Sequence, residues 1–113
     1  MKIIVDGMGG DNSPVEIVKG CVDAVNEYKI NALIVGKEEM IKNELSKYTY
    51  SEGAIETLDA KDIITNEEDP ALAIRRKKES SMVVGMKALT EGLGDGFISA
   101  GSTGAILAGG LFI

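Results

Sequence analysis

Four short apolar runs, each set off from the next by a stretch of helical period, constrain this chain more than any other feature. "KIIVD" (Lys2 to Asp6), "ALIVG" (Ala32 to Gly36), "AIETL" (from Ala54) and "GFISA" (Gly96 to Ala100) have strand length and β-branched or glycine-bounded character. After the first run, Ser13 offers an N-cap with Pro14 at the first helical position. Val18, Cys21, Val22 and Val25 then form one apolar stripe, while Glu16, Lys19, Asp23 and Glu27 face water. Glu38 to Tyr48 sets Met40, Ile41 and Leu45 at helical spacing. Asp69 and Pro70 repeat the cap-then-proline signal and open a helical stretch through "ALAIRRKK", which breaks near Ser80 and Ser81 before "MVVGMKALTE" and a C-cap at Gly92. The glycine loop Gly101 to Gly104 hands over to a final apolar helix. The order β-α-β-α-β-α-β-α predicts right-handed crossovers and a doubly wound α/β fold, with a mostly parallel sheet and helices on both faces. The pattern leaves strand order open.

Composition narrows the function classes. In 113 residues, 44% hydrophobic and 27% charged, neither disorder nor a disulfide scaffold competes with a globular domain. A net charge of -6 argues against general nucleic-acid binding, which needs a basic footprint to release counterions. The single Cys21 cannot form a disulfide framework, so it reads as a buried structural thiol and the expected compartment is a reducing cytoplasm. No signal-peptide layout opens the chain and no run reaches the roughly 20 apolar residues of a membrane span, so any membrane contact is peripheral. "GAILAGGLFI" ends within an apolar segment without a polar cap, which predicts that residues 1–113 are the N-terminal portion of a single larger α/β domain.

Ligands of such sheets collect beyond the carboxyl ends of the strands, where both glycine-rich loops fall. Each loop feeds a helix N-terminus, whose unpaired N–H groups and positive dipole end favour an anion such as phosphate. In "SAGSTGA" the hydroxyls of Ser99, Ser102 and Thr103 can donate to phosphate oxygens while Gly101 and Gly104 permit the required dihedrals; a close-packed corner is the structural alternative. "VDGMGGDNSP" has Gly7-x-Gly9 but no third glycine or alanine at Asn12, and no Gly-Lys-Ser/Thr, so it is neither a dinucleotide fingerprint nor a P-loop. Asp6 and Asp11 repel a bare phosphate, and are suited instead to orienting backbone, holding a cation or partnering a base. "RRKK", Arg75, Arg76, Lys77 and Lys78, is either a solvated helix face or a contact for phosphate or an acidic partner. With no histidine, Ser-His and Cys-His nucleophiles and most zinc sites cannot be built from these residues. No metal-ligand cluster is expected, and Met40, Met82 and Met86 read as core.

Three stretches taken together, "VDGMGGDNSP" (5–14), "EDPALAIRRKKESSM" (68–82) and "FISAGSTGAILAGGLFI" (97–113), resemble the phosphate acyltransferase (PlsX) family of bacterial phospholipid synthesis. The similarity covers essentially the whole chain. It departs at Gly7, where the family usually has alanine, and at Ser102, where it usually has asparagine. The resemblance implies transfer of a fatty acyl group from acyl carrier protein to inorganic phosphate, without a cofactor. It also implies a fold shared with phosphotransacetylases and isocitrate-type dehydrogenases, and a homodimer that associates peripherally with membrane. On that footing Gly101, Ser102, Thr103 and Gly104 are expected to cradle phosphate, and Gly9, Gly10 and Asp11 to form the facing wall. Asp11, Ser102 and Thr103 are the candidate catalytic residues, and Arg75 to Lys78 the anion or carrier-protein contact. An isocitrate-type NAD-dependent dehydrogenase and a non-catalytic docking module for an acidic partner are the rival readings, separable by nicotinamide titration and by phosphate calorimetry.

Overall fold

Alternation along the strands splits the core into two layers on opposite sides of one sheet. The structure, a computed structural model, describes residues 1–9, 13–61, 77 and 79–99. Its elements are β1 (Lys2–Asp6), α1 (Val15–Tyr28), β2 (Asn31–Gly36), α2 (Glu38–Leu45), β3 (Ile55–Asp59), α3 (Ser81–Thr90) and β4 (Gly96–Ile98). The strands form one sheet in the order β3-β2-β1-β4, every pair parallel. Val5 lies opposite Ile34 on one side and Ile98 on the other.

Because side chains alternate across a strand, Val5, Ala32, Ile34 and Ile55 pack with Val18, Cys21, Val22 and Val25 of α1 and with Ile41 and Leu45 of α2. Ile4, Leu33 and Val35 point the other way, to Ala88 of α3, with Val84, Leu89 and Phe97 alongside. Helices therefore cover both faces, as the doubly wound reading requires. Ile4, Ile34 and Val35 are wholly buried, each such side chain contributing roughly 1.5–3 kcal/mol. β1 is buried from Ile4 onward and β2 from Ala32 onward, which is why they appear in the sequence as continuous apolar runs rather than alternating ones.

Several boundaries differ from the sequence expectation. β3 begins at Ile55, one residue later than read, and α2 ends at Leu45 rather than Tyr48. Ser46 to Tyr48 instead leave the helix in tight turns, with the Lys47 and Tyr48 amides bonded to Glu44 and Leu45. α3 starts at Ser81 with Ser80 as its N-cap, where the sequence places the start of the segment that holds "MVVGMKALTE". Gly92 closes α3 at φ +79. Its N–H bonds the Leu89 carbonyl at 3.1 Å and the next N–H, of Leu93, reaches back to Ala88 at 3.0 Å, a Schellman ending. Of the expected helical stretches at 71–78 and 105–113, Lys77 alone is among the described residues.

The N-cap of α1 requires a correction. Pro14, not Ser13, is the N-cap residue, and the Ser13 hydroxyl donates to the Gly9 carbonyl instead of accepting from the helix. Proline has no side-chain acceptor, so α1 begins without a side-chain cap.

Candidate functional site

The order β3-β2-β1-β4 places the topological switch between β1 and β4, since the chain leaves β1 towards β2 on one side and returns to β4 on the other. In open α/β sheets the crevice at the carboxyl ends of such strands is where ligands bind. Three residues converge there from distant parts of the chain. Asp6 ends β1, Ser81 opens α3 and Ser99 follows β4.

Asp6 is only 2% exposed, and an unpaired carboxylate in that position would be costly. Its oxygens are satisfied by donors. Oδ1 accepts the Met8 amide at 3.0 Å and the Ser81 hydroxyl at 2.6 Å, and Oδ2 accepts the Ser99 hydroxyl at 2.8 Å. The bond to Met8, two residues on, is the Asx-type contact that turns a chain directly after a strand. Ser81 is the first residue of α3, so the carboxylate also lies at the positive end of that helix, where negative charge is favoured. Next to it Ser80 Oγ accepts the Val83 amide at 3.2 Å, which completes the α3 cap.

The turn after β1 is packed tightly from below. The Gly7 amide bonds the Val35 carbonyl at 2.8 Å, and a Cβ on Gly7 would fall 2.7 Å from Ile34 Cγ2. Glycine at this position thus matches the β-branched Ile34 beneath it, and the alanine usual in the resembling family would need that side chain to move.

Of the residues singled out from sequence, Gly9 is described: it is buried, and its carbonyl accepts the Ser13 hydroxyl, which bridges the first turn to the start of α1. Lys77 is half-buried, and its carbonyl accepts the Ser80 amide at 3.0 Å. Gly10, Asp11, Arg75, Arg76, Lys78, Gly101, Ser102, Thr103 and Gly104 lie outside the described residues. Ser99 differs from expectation. Its one hydroxyl proton, which the sequence offered as able to reach phosphate, is directed at Asp6. Asp6 orients backbone, one of the roles open to it. Ser81 was missed, and the only signal for it was the serine doublet at the predicted break.

Cys21 is buried in the α1 stripe, and burial pushes its thiol up to about 11, so it is protonated at neutral pH and unsuited to nucleophilic attack. Among the described residues no group of three or more His, Cys, Asp or Glu side chains is arranged to hold a metal ion. Nor is any described helix long and apolar enough to cross a membrane.

The profile of one protein family, described as fatty acid synthesis protein, matches residues 1–113. The phosphate acyltransferase of Clostridium tetani (strain Massachusetts / E88) is 55% identical over 114 residues, an alignment covering 100% of this chain and 34% of that protein. The phosphate acyltransferase of Clostridium novyi (strain NT) is 54% identical with the same coverage. That of Alkaliphilus oremlandii (strain OhILAs) is 50% identical over 113 residues. The chain thus spans 34% of the length of each of these curated relatives.

Proposed function

This chain belongs to the fatty acid synthesis protein family, and from that premise we propose that it forms the phosphate-facing part of an enzyme that moves a fatty acyl group from acyl carrier protein to inorganic phosphate, giving acyl phosphate for phospholipid synthesis. The observation that carries the reading is the adjacency of β1 and β4 in a parallel sheet, with Asp6 and Ser99 bonded to each other at the shared carboxyl edge. Both glycine-rich stretches follow these two strands in sequence. The relatives' name, phosphate acyltransferase, supplies the reaction class.

The chemistry asks little beyond positioning. Phosphate loses its second proton near neutral pH, so the dianion is already a nucleophile, and a thiolate is a good leaving group. One phosphate oxygen attacks the thioester carbonyl and a tetrahedral oxyanion forms. The C–S bond then breaks, and the phosphate proton passes to the departing thiolate, leaving acyl phosphate and free carrier thiol. Peptide N–H groups at a helix N-terminus stabilise both the phosphate and the developing oxyanion. An α1 whose cap is a proline has no cap side chain to compete for those amides. A histidine-free sequence is compatible with such a mechanism.

In this reading Gly101, Ser102, Thr103 and Gly104 hold phosphate against Gly9, Gly10 and Asp11. Arg75, Arg76, Lys77 and Lys78 meet the anionic substrate or the acidic carrier protein. The enzyme works as a homodimer in the cytoplasm, in peripheral contact with membrane, and residues 1–113 are part of a larger α/β catalytic domain. The test is an acyl phosphate assay on a protein of the relatives' full length carrying this segment, with wild type and Gly104→Val side by side. Phosphate-dependent product from wild type, lost in Gly104→Val while circular dichroism stays near native, is the expected result. Undiminished activity in Gly104→Val removes that loop from the mechanism, and an inactive wild type removes the function.

A further inference from the structure

Resting on the phosphate reading, we infer that Asp6 is a positioning residue for the anion seat, fixing through one carboxylate the points at which both glycine-rich turns leave the sheet. Among the described residues it is the one side chain that bonds β1's exit turn, β4's exit and the first residue of α3 together. Its partners lie 75 and 93 residues away in sequence, at Ser81 and Ser99, so no local turn preference can replace the contact. Met8 follows the end of β1 and Ser99 follows the end of β4 beside it, and each leads in sequence into a glycine-rich stretch. A shift of Asp6 therefore changes the separation of the two strand exits.

The bond to Ser99 also sets the polarity of that hydroxyl. Its proton is committed to Asp6 Oδ2 at 2.8 Å, so Ser99 cannot use the same proton to bind an anion. Ser99 thus acts through Asp6 as a tether for β4 and does not itself donate to phosphate.

A wholly structural role predicts lower stability and nothing else. A positioning role predicts a selective loss at phosphate, because a misplacement of about 1 Å between binding groups costs on the order of 100-fold. The experiment uses the full-length protein and inorganic phosphate as probe, with Asp6→Asn, Ser99→Ala, the double variant and Ser80→Ala. Each of the first two is expected to raise the phosphate KM by roughly 10-fold while the KM for acyl carrier protein stays within about 2-fold. The double variant is expected to be no worse than about 2-fold beyond the weaker single, since both cut one tether. Ser80→Ala removes the neighbouring helix cap without touching Asp6, and should lower stability with the phosphate KM unchanged.

Additive losses in the double variant would show that Ser99 meets phosphate directly and overturn the inference. So would tighter phosphate binding by Asp6→Asn, which would make the carboxylate a repulsive charge, or an equal KM shift in Ser80→Ala. Calorimetry with phosphate on the same four variants separates the two readings. If wild type makes no acyl phosphate yet binds phosphate in an Asp6-dependent way, the acyl transfer is wrong and the positioning role stands. If wild type binds no phosphate, both fall.

Discussion

α1 and α3 pack on opposite faces of one sheet, and their ends are built differently. α3 begins with a serine cap that takes the Val83 amide and ends on Gly92 in a Schellman turn. α1 begins at Pro14 with no side-chain cap and ends at Lys29, a residue with a Cβ held at φ 57 in the left-handed region. The serine cap and the glycine exit of α3 have no counterpart in α1, which ends on a left-handed lysine bonded to the Val25 carbonyl and carries Glu16 in its first turn. The two starts differ accordingly: α3 is anchored through Ser81 to Asp6, whereas the start of α1 is the helix end proposed to take an anion. A helix that is to bind something at its N-terminus does better without a side chain already there.

α1 also differs from α3 in carrying a titratable group on its buried stripe, and the largest predicted effect follows from it. The Cys21 thiol rises from its ordinary 9.0 to about 11 through burial. The folded state therefore holds the proton more tightly than the unfolded chain. The stability this provides is complete below pH 9 and is lost as pH climbs from 9 towards 11, up to roughly 2–3 kcal/mol. Urea denaturation of wild type and Cys21→Ala at pH 8 and pH 11 isolates the contribution, because the two proteins differ only at the thiol. The gap between the two proteins should narrow by that amount at high pH. A gap that stays constant would mean that the thiol is solvated and that the α1 face is looser than described.

Local signals in the sequence were sufficient wherever one element decides its own structure. β1 and β2 are β-branched runs ended by glycine, the α1 stripe of Val18, Cys21, Val22 and Val25 is the buried set observed, and Gly92 is where a chain must turn left-handed. Reading failed where the partner is remote. Nothing near Glu38 indicates that its amide is capped by Asp59 Oδ1 at 3.2 Å, from the end of β3. The Asp6 cluster joins residues 6, 81 and 99, and only the strand order brings them together. Ser13 failed for a different reason: a serine before a proline fits the cap pattern, but the chain uses its hydroxyl to close the first turn onto Gly9. Propensity names the residue able to cap, while tertiary geometry decides which bond it makes.

Removing the Ser80 hydroxyl makes the start of α3 resemble the start of α1. Ser80→Ala strips the acceptor from a buried Val83 amide, and loss of such a cap costs about 1 kcal/mol. Amide exchange should show the loss in the first turn of α3, at Val83 and Val84, with α1 protection unaltered. If protection falls equally in both helices, the two faces unfold as one cooperative unit and the contrast between them has no energetic meaning.

The reverse change, giving α1 the exit that α3 already has, should stabilise. Lys29 sits at φ 57 with its N–H bonded to the Val25 carbonyl at 3.1 Å, a left-handed ending that glycine adopts without the Cβ penalty of about 1–2 kcal/mol. Glycine also has more freedom to lose from the unfolded chain, roughly 0.5–1 kcal/mol, so Lys29→Gly is expected to gain only about 0.5 kcal/mol. The side chain is exposed and its charge lies at the helix's negative end, a modest favourable term that glycine forfeits. Lys29→Asn is the informative companion, because asparagine tolerates the left-handed region while keeping a side chain. A denaturation midpoint that rises for Gly, and less for Asn, locates the strain in the backbone. A fall in both would mean that the lysine charge outweighs the dihedral cost and that α1 ends where it does for electrostatic reasons.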